Sequence, residues 1–266
     1  MTQPDQLPTT TTSLRLVFLG FFSLATILLI PLQSYLPGVA CLLAAVACLL
    51  RDGDRTFTRR MSVLLCAIVI LTLAPINTDT DDQHFMILGT VFAVLVLGPA
   101  VFFLKTDPSL VRFRFLPPRF RWLDVFYVAI SVPMAYYAIK YYFHFNPDMA
   151  TQWSLPAQKN SGESWRLIIG INAVGLWDEL FFVNTVFVIL RSVFPLRWAN
   201  LAQAVVYTAV LNDMAFLGLG PLLIYYFALT QGSMMEKSGC LLYVLLVHVL
   251  VDVFLLEAIF AYYYPV

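Results

Sequence analysis

Two carboxylates stand side by side in the middle of an apolar run: Asp178 and Glu179 interrupt WRLIIGINAVGLWDELFFVNTVFVILR, with Asn184 just beyond them. An Asp at the centre of a membrane-inserted helix costs about 2.5–3.5 kcal/mol, so such groups face a polar or protein-lined interior. Their chemistry is that of a general base taking a proton from water. The alternative is a buried structural pair that hydrogen-bonds another helix. A second group lies in GCLLYVLLVHVLVDVFLLEAIFAYYY, where His248 and Asp252 are four residues apart and share a helical face. Such a pair can orient an imidazole, bind a carbonyl oxygen or carry a proton, whereas a lone His more often packs or bonds between helices. Glu257 points away from that face. A third group, Asn212 and Asp213, lies in RWANLAQAVVYTAVLNDMAFLGLG.

The elements that carry these residues are membrane-spanning helices. The chain has 266 residues, 60% hydrophobic and 12% charged, against about 25% charged in soluble domains. Apolar runs of roughly 17–25 residues mark spans. The sequence predicts eight or nine of them, near residues 14–33, 36–50, 61–77, 84–104, 122–144, 166–190, 198–217, 220–234 and 240–262. The second and eighth are short. Continuous rather than alternating apolarity selects helices over a barrel, so the expected fold is all-α and polytopic. Residues 1–13 read as a polar disordered tail without the features of a cleaved signal peptide. Residues 14–144 read as N-terminal transmembrane helices, 145–165 as an extracytoplasmic loop, and 166–262 as a C-terminal transmembrane core. At about 1.5 Å per residue, the polar groups of the sixth, seventh and ninth spans reach similar depths and can meet near mid-membrane.

Basic residues fall in alternate loops. Arg51, Arg55, Arg59 and Arg60 follow span two. Lys105, Arg112, Arg114, Arg119 and Arg121 follow span four. Arg191 and Arg197 follow span six, Lys237 follows span eight, and Arg15 opens span one. Thirteen of the 16 Lys and Arg residues thus share one side. The positive-inside rule makes that side cytoplasmic, with the N-terminus inside and the C-terminus outside a cell membrane. RFRFLPPRFRW interleaves Arg with aromatics and suits the headgroup layer, with membrane lipids as partners. A net charge of zero suggests no nucleic-acid partner. The four cysteines form no CxxC and read as small buried hydrophobes. No HExxH, G-x-S-x-G or glycine-rich phosphate loop occurs. No cofactor is expected. A metal is possible but poorly supported, because His248 is the one histidine in the region and carboxylates would have to complete the ligand set.

Residues 166–256 resemble the CAAX-protease and bacteriocin-processing (CPBP) family of intramembrane endopeptidases. Its pattern is EExxxR, then FxxxH, then HxxxN or HxxxD on successive helices. DELFFV at 178–183 occupies the first place, and HVLVD at 248–252 fits the third. The preceding EKSGCLLYVLL is similar to the family's approach to that helix. Val183 stands where the family has Arg. Tyr207 and Leu211, with Asn212 beside them, stand for FxxxH without its histidine. The resemblance implies peptide-bond hydrolysis in a membrane-associated protein or peptide substrate by carboxylate-activated water. It implies Asp178 as base, Glu179 as its neighbour, and His248 with Asp252 on the oxyanion side. Asn212 could position the water. Two alternatives stand beside this: a catalytically degenerate member that binds membrane partners, and a proton-coupled transporter with Asp178, Glu179, Asp213 and His248 as a relay.

Overall fold

The computed structural model describes residues 12–77, 81–153, 155, 159, 162–212 and 218–264. Among them the protein is all-helical. We label the helices α1 (Ser13–Leu29), α2 (Tyr35–Asp52), α3 (Arg55–Leu73), α4 (Asp82–Thr106), α5 (Trp122–Phe145), α6 (Gly162–Arg191), α7 (Leu196–Leu211), α8 (Gly220–Ser238) and α9 (Leu242–Tyr263). A 3₁₀ turn, Pro147–Gln152, follows α5. Six of them, α2 to α6 and α9, are long and apolar enough to cross a membrane. α1 and α7, at 17 and 16 residues, are shorter. α8 carries Thr230, Gln231, Ser233, Glu236 and Lys237 in its second half. Each of the nine predicted runs overlaps one helix, although the runs at 14–33 and 61–77 extend four residues past their helices and residues 213–217 of the seventh lie outside the described residues. Multi-pass character is therefore visible in the fold, with six of the nine helices qualifying as spans by length and composition.

The helix ends follow from local chemistry. Asp54 caps α3 by accepting from the Thr56 and Phe57 amides at 2.8 and 3.3 Å, as a side-chain acceptor does at an N-terminus. α3 thus starts at Arg55, six residues ahead of its predicted apolar run. Asp81 caps α4 through the His84 amide. Gly239 ends α8 in the left-handed region at φ 66°, its N–H donating to Met235 O, the usual glycine stop. The first amides of α9 are satisfied from outside: Leu241 and Leu242 N–H donate to the carbonyls of Arg114 and Phe115. The basic-aromatic segment is thereby fastened to the start of the helix that carries His248.

Ion pairs collect at the two ends of the bundle. At one end Arg15 joins Asp52 and Asp54, Arg60 joins Asp107, and Arg191 joins Glu236. The Arg121 guanidinium donates to Lys237 O at the same end. At the other end Arg166 pairs with Asp82, and the Tyr263 hydroxyl donates to Trp153 O. These links put α1 to α6 in alternating directions and bring the end of α8 to the end of α6.

α6 is the axis. In its most apolar stretch 72% of residues are buried, against 11% in α5 and 22% in α2. One apolar core runs from Phe18 on α1 to Val244 on α9 and wraps Trp177, Phe181, Phe182, Val186 and Phe187 of α6. A smaller one joins Tyr142, Met149, Trp153, Leu167 and Ile259, so part of the predicted outer loop packs as a plug. Large apolar side chains cover the outside, with Leu36 85% and Leu73 80% exposed. Such a surface suits lipid and not water.

Candidate functional site

Glu179–Phe187, inside α6, is wound as a π-helix. Bonding from i to i+5 widens the turn and shifts side-chain phase; such segments inside α-helices are frequent at functional sites. Here the shift begins at the carboxylate pair, and Glu179 and Asn184 are separated by one π interval. Every residue from Phe181 to Phe187 is buried, Asn184 included, as are Asp178 and Glu179.

Four helices bring polar groups to this point. His248 of α9 places Nδ1 2.7 Å from Glu179 Oε1. Tyr207 of α7 donates its hydroxyl to the same oxygen at 3.3 Å and lies 3.1 Å from His248 Nδ1. Gln231 of α8 donates Nε2 to Glu179 Oε1 at 2.9 Å and to Val244 O at 3.0 Å. Both of those partners are acceptors, which fixes the orientation of the Gln231 amide. Glu179 Oε1 therefore has three polar groups gathered on it. The opposite edge of the imidazole, Nε2, faces Asp178 Oδ2 at 3.6 Å and Asp252 Oδ1 at 3.7 Å. Those are ion-pair distances and too long for hydrogen bonds.

Gly175 makes the approach of α9 possible. A Cβ there would lie 2.1 Å from Asp252 Oδ2 and 2.8 Å from His248 Cδ2. Any side chain at 175 would push the His–Asp face away from the carboxylate pair. Rings close the site. Phe227 meets His248 edge-on at 5.4 Å, and Tyr207 lies near-parallel to it at 6.4 Å. Phe182 packs on Tyr207 at 4.4 Å. Trp177, stacked on Phe92, donates Nε1–H to Phe92 O, which anchors α6 against α4.

Four oxygens around the imidazole have no hydrogen-bond partner among the described residues: Asp178 Oδ1, Glu179 Oε2, Gln231 Oε1 and Asp252 Oδ2. Buried polar atoms are rarely left so. The arrangement is one imidazole set among three carboxylates, a phenol and an amide, with acceptors to spare. It can hold a ring in a fixed orientation, take protons at a carboxylate and offer N–H and O–H donors to a carbonyl oxygen. Among the described residues no group of three or more His, Cys, Asp or Glu side chains is set to hold a metal ion.

Of the sequence candidates, Asp178, Glu179, His248 and Asp252 meet here. Asn212, half-buried, caps the end of α7 and is not part of this hydrogen-bonded group; Asp213 lies outside the described residues. Glu257 is exposed on α9. Two participants were not singled out as site residues from sequence. Gln231 could have been noticed as a glutamine in an apolar helix. Tyr207 entered as a stand-in for an aromatic packing residue, and its hydroxyl gave no signal of a role. A second polar group continues from the site along one face of α7, where Asn200, Gln203 and Tyr207 follow at helical spacing. Asn200 Nδ2 donates to Leu229 O and Ser233 Oγ, and Gly232 leaves room for the Asn200 and Gln203 amides. Searches against protein-family models, curated proteins and solved structures find no match for this chain.

Proposed function

We propose that this protein is a multi-pass membrane hydrolase that cleaves a peptide bond of a membrane-associated substrate. The observation that carries this reading is the buried contact of 2.7 Å between Glu179 Oε1 and His248 Nδ1, with two further carboxylates at the other ring nitrogen. A buried carboxylate that orients an imidazole is a recurring device of acid–base catalysis. The resemblance of DELFFV and HVLVD to the CPBP motifs points to the same chemistry. Asp178 takes a proton from water, and the resulting hydroxide adds to the substrate carbonyl carbon. Nε2–H of His248 donates to the oxyanion, with the ring held through Nδ1 by Glu179. As the C–N bond breaks, Asp178 returns its proton to the leaving amine. Glu179 is thus a positioning residue and not simply a neighbour of the base. Asp252 balances the charge of the ring.

The end of the bundle that holds Arg15, Arg60 and Arg191 is assigned to the cytoplasm on charge alone, which puts the N-terminus inside and the C-terminus outside. A second reading has a specific observation behind it. Val183 and Leu211 are buried apolar residues where the family's pattern places Arg and His. A chain that kept the fold and lost turnover would look like this, and would act by binding membrane proteins or peptides. The transporter alternative needs Asp178, Glu179, Asp213 and His248 as a relay, and Asp213 lies outside the described residues.

Hydrolysis in H₂¹⁸O separates these readings. The purified protein, reconstituted with membrane proteins of its host, should generate new C-termini that carry one ¹⁸O. Glu179→Gln and His248→Ala should abolish them. No labelled termini with folded wild-type protein would leave the binding reading in place.

A further inference from the structure

A groove of about 410 Å³ runs between α5 and α8, apart from the His248 site. Its α5 wall is Leu123, Asp124 and Tyr127; its α8 wall includes Thr230, Ser233 and Lys237. These positions recur at helical spacing on two facing stripes. The groove is amphipathic along its length. Tyr226, Leu229 and Met234 line its apolar parts. Asp124 and Lys237 lie at its basic end, where Arg121 donates to Lys237 O. From Tyr226 to Lys237 is about 16 Å of helix, close to one leaflet of a hydrocarbon core of about 30 Å.

Asp124 is the anomaly. α5 is otherwise mostly exposed; among its residues only Asp124 and Tyr142 are buried. A carboxylate in the first turn of a helix is favoured by the helix dipole, yet Asp124 Oδ2 has no hydrogen-bond partner among the described residues and the side chain is 3% exposed. Lys237, an exposed cation, lines the same groove. One fixed anion and one fixed cation, at headgroup depth above an apolar furrow, complement a zwitterion that bears an acyl chain.

We propose that this groove binds a zwitterionic aminophospholipid with a primary ammonium headgroup. The three N–H groups of the ammonium donate to Asp124 and to the hydroxyl groups of Tyr127 and Ser233. The phosphate faces Lys237, and one acyl chain lies along Leu229 and Tyr226 toward mid-membrane. A trimethylated headgroup has no N–H to donate, and a glycerol headgroup has no cation. Neither therefore gives Asp124 a charge-assisted hydrogen bond.

The test is native mass spectrometry of the full chain in detergent, titrated with phosphatidylethanolamine, phosphatidylcholine and phosphatidylglycerol of identical acyl chains. Phosphatidylethanolamine should bind about tenfold more tightly than either of the others, the worth of one charge-assisted hydrogen bond. Asp124→Asn should erase that preference. Lys237→Glu, an exposed change that leaves the fold intact, should weaken phosphatidylethanolamine by a similar factor. Phosphatidylglycerol equal to or above phosphatidylethanolamine would show binding to the basic end of the bundle alone and overturn the proposal. So would a preference that survives both substitutions. Soluble phosphoethanolamine that binds as well as the lipid would also overturn it, because the furrow would then play no part.

Discussion

At the scale of single residues, Glu179 is the most constrained carboxylate among the described residues. Its Oε1 is shared by His248, Tyr207 and Gln231. Glu179→Gln keeps the shape but offers those donors a weaker acceptor, and in one amide orientation a second donor. We expect a loss of about 1–3 kcal/mol in stability, the cost of a buried polar group left unsatisfied, seen as a lower Tm in detergent. His248→Ala should lower turnover by about 10²–10³-fold, as loss of one oxyanion donor does, and should lower the Tm as well, because it leaves three buried carboxylates without their imidazole partner. Gly175→Ala tests geometry directly. Its Cβ falls on Asp252, and overpacking of this kind costs about 1–3 kcal/mol; cleavage should fall with it while Gly170→Ala, with only an ordinary 3.8 Å contact to Phe85, changes neither. Asp178, Glu179, His248 and Asp252 were legible in the sequence because charge in hydrocarbon is expensive and so stands out. Tyr207 and Gln231 were not, because a phenol or an amide is cheap enough in an apolar helix to pass as packing. Which of the two adjacent acids would grip the histidine was also hidden. That depends on the phase of the backbone at residue 179.

At the scale of elements, α6 sets that phase. A long apolar run located the helix, but its i to i+5 winding over Glu179–Phe187 leaves no mark in a uniformly apolar run. The helix ends were partly legible. Hydropathy finds where a helix can lie in lipid, and capping decides where it starts, as Asp54 does for α3. The tie between the 112–122 segment and the start of α9 is a backbone contact, invisible to any reading of side-chain types. The ends are also where pH should act. Burial works to raise the Asp107 pKa, but the hydrogen bond and charge of Arg60, at 2.5 Å, outweigh it and hold the carboxyl below its ordinary value. A carboxyl depressed by folding gives stability that is complete above its unfolded pKa, about 3.9, and is lost as pH falls through the lower folded pKa. Asp54, also depressed, adds to the same limb. Thermal unfolding should therefore show a Tm that declines below about pH 4. Arg60→Ala should lower the Tm at neutral pH and make that acid decline shallower. An unchanged acid limb in this variant would remove the Arg60–Asp107 pair from the stability of the bundle.

At the scale of the whole molecule, the fold and its orientation rest on different evidence. Alternating helix direction is built into the ion pairs at the two ends. The choice of which end faces the cytoplasm comes from charge alone. Reporter fusions should place residue 12 inside and residue 264 outside. The C-terminal fusion is expected to be active as a periplasmic-type phosphatase and dark as a cytoplasmic fluorescent protein. The opposite pattern would invert the molecule and move the aminophospholipid groove to the other leaflet, without changing the depth of the His248 site. Depth counting brought together the polar groups of the sixth and ninth spans, which do meet; on α7 it pointed to Asn212 and Asp213 where Tyr207 is the participant, and α8 supplied Gln231 without announcing itself. The most direct test of the catalytic reading compares a deletion strain with strains expressing Asp178→Ala, Glu179→Ala or His248→Ala at equal protein level, with membrane-protein termini read by mass spectrometry. The expected result is one set of cleaved termini that vanishes in the deletion and in each variant alike. Wild-type termini restored by the variants, in a background where the deletion removes them, would contradict a hydrolytic role for the site.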